Sequence, residues 1–178
     1  MNGPTNFQIN LRAGIAEELL DMLDPFPFGE RRLDGDVEDY ITERAEEAPA
    51  RAPLAIAIHL PAASTEVARS LPQTVHRHFA RLAERRASEL SRLFALGRRM
   101  LLIGLLVLGA CLLAGQSLVS LFPNSRIAEV AMEGFIILGW VANWRPMEIF
   151  LFDWWPLTQE RRLYARLAQA PVTVVAPD

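Results

Sequence analysis

From Met100 to Phe122 the chain reads MLLIGLLVLGACLLAGQSLVSLF, 23 residues without a single charge. At about 1.5 Å per helical residue, such a run crosses a hydrocarbon core of about 30 Å. A core helix of a soluble protein rarely extends so far uncharged, because its solvent side needs polar groups. The run predicts a transmembrane helix over 100–122. Pro123, Asn124 and Ser125 then form a turn. A second apolar stretch, Ile127–Trp144, follows at once and carries Glu129 and Glu133. Coming straight after a span and a three-residue turn, it is expected to return through the bilayer over 126–145. The prediction is a helical hairpin.

Arginine placement orients that hairpin. Arg92, Arg98 and Arg99 precede the first span, and Arg145, Arg161, Arg162 and Arg166 follow the second, against Arg126 alone at the turn. Positive residues are retained on the cytoplasmic side, so both termini are expected in the cytoplasm, with the protein in the cell inner membrane. Residues 1–68 hold five Arg against thirteen acids, but acidic residues weigh little in this rule. All eighteen basic residues are Arg, which fits the codon bias of a GC-rich genome and carries no functional reading. Met1–Asn10 has neither a basic nor an apolar stretch, so no cleavable signal peptide is expected there. Trp140, Trp144, Trp154 and Trp155 fall near the cytoplasmic end of the second span, where an interfacial aromatic belt belongs.

The remainder reads as a small cytoplasmic domain. Phe7–Arg12 alternates apolar and polar residues like a half-buried strand, and Ala13–Leu23 has helical spacing. Asp24–Gly29 is a Pro-rich break, Asp36–Ala48 a second amphipathic helix with Val37, Tyr40, Ile41 and Ala45 on one face, and Pro49–Pro53 another break. Leu54–Leu60 is the strongest strand, ended by Pro61. Two strands joined by so long a crossover are expected to be parallel neighbours. Leu71–Arg99 predicts a long helix running toward the first span, with Arg77, Arg81, Arg85, Arg92 and Arg99 on one face. That face reads either as contact with anionic lipid, at about 1 kcal/mol per residue near the surface, or as a solvated face that also serves topology. Arg85, Arg92, Arg98 and Arg99 are the candidate lipid contacts. Arg145–Pro146 predicts a kink or helix end, and Met147–Pro156, with Phe150, an in-plane interfacial segment. Thr158 is expected to cap a last helix through Gln169, and Pro171–Val175 reads as a third strand.

Little in the chain points to catalysis. His76 and His78 stand two apart on a helix, which turns their rings away from one metal. Cys111, the one cysteine, has no internal disulfide partner. Phosphate-loop, nucleophile-elbow and zinc-protease patterns are missing, and Asp34, Asp36, Glu38 and Asp39 suit the positive end of a helix. No enzyme activity, cofactor, metal or nucleic-acid partner is expected.

The informative residues are Glu129 and Glu133, one helical turn apart, with Glu133 roughly 10 Å in from the turn. Carboxylates within a bilayer are costly and point to proton or cation handling or to pairing with a subunit. A local alternative also exists, because folding the hairpin about residue 124 sets them opposite Gly115/Gln116 and Val119/Ser120. The expected architecture is an α+β membrane protein: a cytoplasmic β-α-α-β domain over 1–70, a basic amphipathic linker helix over 71–99, spans over 100–122 and 126–145, and an interfacial segment and cytoplasmic tail over 146–178. The leading functional expectation is a non-enzymatic membrane subunit whose partners are the lipid bilayer and either further copies of itself or a larger membrane complex. The other readings are an oligomeric channel or pore-forming effector and a membrane-tethered sensor.

Overall fold

The computed structural model describes residues 7–22, 24, 31–49, 52–61 and 66–175. In chain order the elements are strand β1 (Phe7–Arg12), a 3-10 turn (Ala16–Leu19), helix α1 (Gly35–Glu46), strand β2 (Leu54–His59) and helix α2 (Glu66–Leu121). Helix α3 (Arg126–Ala142), helix α4 (Trp144–Glu148), a π-helical turn (Ile149–Asp153), helix α5 (Trp154–Leu167) and strand β3 (Val172–Val175) complete the chain. They form two compact units, Met1–Arg86 with Gln159–Asp178, and Ala87–Thr158.

In the first unit the three strands form one parallel sheet in the order β1-β2-β3, with Ile9 beside Ile56 and Ile56 beside Val172. Alternation aims Ile9, Leu11, Leu54, Ile56 and Ile58 into the core and leaves Gln8, Asn10 and Arg12 exposed. Leu71, Val75 and Phe79, spaced four apart on α2, are fully buried against that apolar face, with Leu167 and Tyr164 of α5. Phe79 stacks on Tyr164 with ring centroids 6.2 Å apart. Burying one such side chain stabilises the unit by about 1.5–3 kcal/mol. The acids at the start of α1 act as their positions suggest, since the Asp34 carboxylate caps the helix by accepting from the Asp36 N–H.

The parallel pairing of β1 with β2 and the third strand agree with the sequence reading. Other details differ. The described part of the predicted Ala13–Leu23 helix, residues 13–22, is not an α-helix but carries the single 3-10 turn Ala16–Leu19, because the Leu20 backbone is drawn into an antiparallel bridge with Leu33. The Asp21 N–H donates to the Arg32 carbonyl and the Asp34 N–H to the Leu19 carbonyl, so that stretch cannot also complete helical bonds. On α1 only Ile41 and Ala45 are buried; Val37 is half-buried, and Tyr40 is exposed, its hydroxyl donating to the Asn10 carbonyl. Thr158 caps nothing. Helix α5 begins at Trp154, and the Thr158 hydroxyl donates back to the Trp154 carbonyl. Residues 25–29 and 50–51 of the two predicted breaks lie outside the described residues.

In the second unit, α2 carries the chain through residues 87–121 without interruption, so the basic helix and the charge-free run are one helix. The turn closes with the Ser125 N–H donating to the Phe122 carbonyl, and the Ser125 hydroxyl caps α3 at the Ala128 N–H. Helix α3 ends at Ala142 with Asn143 as its C-cap, just before the kink or end predicted at Arg145–Pro146. Pro146 sits in the first turn of α4, where its missing N–H leaves no bond unmade. Helix α2 and the helical run from Arg126 are both long and apolar enough to cross a membrane.

Candidate functional site: the apolar hairpin

Helices α2 and α3 meet along a seam of small residues. A Cβ on Gly104 would lie 2.6 Å from Asn143 Oδ1 and 3.0 Å from the Ala142 carbonyl oxygen. On Gly139 it would lie 2.5 Å from Leu108 Cδ1, and on Gly115 3.2 Å from Met132 Cγ. Cys111 and Ala128 are buried along the same line. Glycine is required at Gly104 and Gly139 because the facing helix occupies the space of a side chain. The seam sets Gly115 against Met132, within about one residue of the register expected from folding about residue 124.

Asn143 closes the seam at its far end. It is buried, and its Nδ2 donates both to the Gly104 carbonyl, at 3.1 Å, and to the Gly139 carbonyl, at 2.9 Å. One amide thus ties α2 to the last turn of α3. Its Oδ1 has no hydrogen-bond donor and rests against the Gly104 backbone, where a Cα–H is the available partner.

Glu129 and Glu133 lie elsewhere. Both are exposed, and neither has a hydrogen bond or ion pair among the described residues. Gln116 and Ser120 are exposed as well, so the local pairing across the seam does not form. The reason is geometric: the glycines pull α3 onto α2 through Ala128, Met132 and Gly139, and that contact turns the carboxylates outward. The intramembrane candidates are brought to the hairpin surface and not to one another.

Below the seam, Gly97 allows the π-helical turn to reach α2, for a Cβ there would lie 2.9 Å from Ile149 Cγ2. Phe150 is half-buried and stacks on Phe94 at 6.1 Å. Arg145 bridges Glu148 and Asp153, each at 3.0 Å, and Trp144 Nε1 donates to Glu148 at 2.9 Å. Trp154 is half-buried and its Nε1 donates to the Phe150 carbonyl at 3.0 Å. Trp140, Trp144 and Trp155 are exposed. Arg85, Arg92, Arg98 and Arg99 are exposed on α2 and have no ion pair among the described residues.

Three features escaped the sequence reading: the Asn143 clamp, the close approaches at Gly97 and Gly139, and a cleft in the sheet unit. A lone amide at the end of an otherwise apolar run was the available signal for Asn143. The cleft, about 510 Å³, is lined by Asn10, Arg12, Leu19, Asp36, Val37 and Tyr40. It lies at the carboxyl end of β1, where open parallel sheets commonly hold ligands.

A buried polar group completes the sheet unit. His78 Nδ1 accepts from the Leu33 N–H at 3.4 Å, which leaves the proton on Nε2, and Nε2 donates to Glu38 at 2.7 Å. Burial holds the His78 imidazolium below its usual range, more strongly than the Glu38 carboxylate raises it.

No family model, curated protein or solved structure matches this chain.

Proposed function

We propose that the chain is a non-enzymatic integral membrane subunit of the bacterial inner membrane. Residues 100–122 and α3 cross the bilayer as a hairpin, both termini and the sheet unit stay in the cytoplasm, and the hairpin assembles with further copies or with a larger membrane complex. The observation that carries this reading is the pair Glu129 and Glu133, exposed and unpartnered on a helix apolar enough to span. Such carboxylates need a partner that one hairpin does not supply. The exposed Trp140, Trp144 and Trp155 fit the headgroup layer, and the unpaired Arg92, Arg98 and Arg99 fit the cytoplasmic leaflet.

Reporter fusions after residues 95, 124 and 178 test the topology. A cytoplasmic signal at 95 and 178 and a periplasmic one at 124 are expected, and a cytoplasmic signal at 124 removes the hairpin reading. Co-purification in mild detergent tests assembly, since a solitary sensor elutes as a monomer.

A further inference from the structure

We infer that the hairpin pairs with a second copy of itself through one polar flank, the two copies related by a two-fold axis along the membrane normal. This rests on the two-span reading above. On α2 the seam runs through Gly104, Leu108, Cys111 and Gly115, and on α3 through Ala128, Met132, Gly139 and Asn143. At about 100° of rotation per residue, Glu129, Glu133 and Gln116 lie roughly a quarter turn from the seam, whereas Ser120 lies about 150° round, near the back of α2. The helices are antiparallel, so advancing along the chain turns clockwise on one and anticlockwise on the other when both are viewed from the same end. Glu129, Glu133 and Gln116 therefore project from the same flank of the hairpin.

The opposite flank is different in kind. The same rotation places Val107, Ala114 and Leu121 of α2 there, with Ile127, Ala131 and Leu138 of α3, while Ser117 and Ser120, each about 150° from the seam, point away from both flanks. One flank suits hydrocarbon. The other carries two carboxyl groups and an amide, exposed and without a partner among the described residues, set among exposed Leu105, Leu112 and Trp140.

A second copy is the occupant because the polar flank complements itself. The seam register puts Gln116 level with Glu133, within about 3 Å along the axis. A half-turn about the membrane normal keeps every residue at its depth and exchanges left for right. It therefore sets the α3 carboxyl groups of one copy beside the α2 amide of the other, and the reverse, as a closed symmetric pair requires. Glu133 gains an amide donor at its own depth, and the four helices enclose the carboxyl-bearing flank while presenting the opposite flanks to lipid.

The experiment is oxidative cross-linking in membranes, in a Cys111→Ala background, between co-expressed copies carrying different tags. Gln116→Cys on one copy with Glu133→Cys on the other is expected to give an adduct bearing both tags. Ala110→Cys with Leu138→Cys, level with each other on the apolar flank, is expected to give several-fold less. The unsubstituted chain should also show the mass of two copies in mild detergent, which needs no variant to fold. Equal adducts from both flanks, a monomer mass, or a polar-flank adduct to a different membrane protein overturns the pairing. Release from membranes by alkaline carbonate overturns the two-span reading itself. Retention without the polar-flank adduct defeats the pairing alone.

Discussion

The two units treat polar groups in opposite ways. In the sheet unit, buried Asp24 accepts from both the N–H and the side chain of Arg32, and His78 is held between the Leu33 N–H and Glu38. In the hairpin unit, the buried amide of Asn143 is satisfied at its nitrogen, but Glu129 and Glu133 are exposed without partners. The sheet unit meets the needs of these side chains from within its own chain, whereas the hairpin leaves two of its most costly ones to its surroundings. Stability should therefore be governed by internal packing in the first and by assembly in the second.

The sharpest way to break the contrast is to open the seam without touching the sheet. Gly104→Leu forces a side chain into the space of the Asn143 amide and the Ala142 carbonyl. Overpacking together with the loss of an Asn143 hydrogen bond should cost the hairpin about 2–4 kcal/mol. Cys111, buried in the seam, reports it: alkylation by a membrane-permeant thiol reagent should become much faster than in the unsubstituted protein. The sheet unit should melt unchanged. If Cys111 stays protected, the packing along Gly104 is not what holds the helices together.

Next in size is the replacement of the two carboxylates, where assembly and conduction part company. If Glu129 and Glu133 hold subunits together, Gln keeps the shape and some hydrogen bonding, while Leu leaves former donors unsatisfied, at about 1–3 kcal/mol for each group. Leu should then weaken the oligomer in detergent more than Gln does. If the carboxylates carry protons or cations, Gln should abolish flux in liposomes as thoroughly as Leu, with assembly intact. The assembly pattern is the expected one. Double replacement by Leu that changes neither assembly nor flux would mean that the carboxylates only reach water from a shallow span.

The sheet unit should respond to pH, which the comparison makes a local test. His78 is held neutral because burial outweighs the attraction of Glu38, so its folded pKa lies below the ordinary histidine value of about 6.5. Above that value both folded and unfolded chains carry neutral His78, and the group adds no pH dependence. As pH falls below about 6.5, the unfolded chain takes up a proton that the folded chain refuses. Stability is then lost progressively down to the folded pKa. Thermal unfolding followed by circular dichroism from pH 7.5 to 5 should show a falling midpoint, and His78→Leu should flatten the slope while lowering stability at neutral pH by about 1–3 kcal/mol through the unsatisfied Leu33 N–H. An unchanged slope would assign the acid sensitivity to another group.

What could be read in advance follows from how strongly physics constrains each part. A long charge-free run has few options other than a long apolar helix, so the two helices long and apolar enough to span were legible, and a three-residue turn between them fixed their register to within about one residue. The flank taken by Glu129 and Glu133 was not legible, because it depends on which residues make the seam. That is decided by the close approaches at Gly139 and Gly104, and glycines in an apolar run look alike until a partner helix is placed. In the sheet unit, crossover length predicted the parallel pairing of β1 and β2. The 3-10 turn could not be foreseen, since the competitor of the Ala13–Leu23 helix is a bridge from Leu20 to Leu33, far along the chain. Strand β3 was readable as a strand, but its place beside β2, and the inclusion of residues 159–178 in the sheet unit, rest on contacts that no local pattern encodes.

The smallest expected effect lies at a buried hydroxyl where the sheet unit departs from its own rule. Thr74 is 2% exposed on α2, and its hydroxyl has no hydrogen-bond partner among the described residues. Leu71 and Val75, its neighbours on the same helix, are fully buried in apolar surroundings. An unpaired hydroxyl there carries a desolvation cost with no bond to offset it. Thr74→Val keeps the β-branched shape, so the rotamer and the packing volume are preserved while the polar atom is removed. The substitution should raise the stability of the sheet unit by up to about 1 kcal/mol, measured as an upward shift in the thermal midpoint at constant pH. The hairpin should be indifferent, with the same cross-linking and the same Cys111 protection. A loss of stability instead would mean that the hydroxyl holds a water or a backbone group in solution, and that the sheet unit meets its polar needs here as it does at Asp24 and His78.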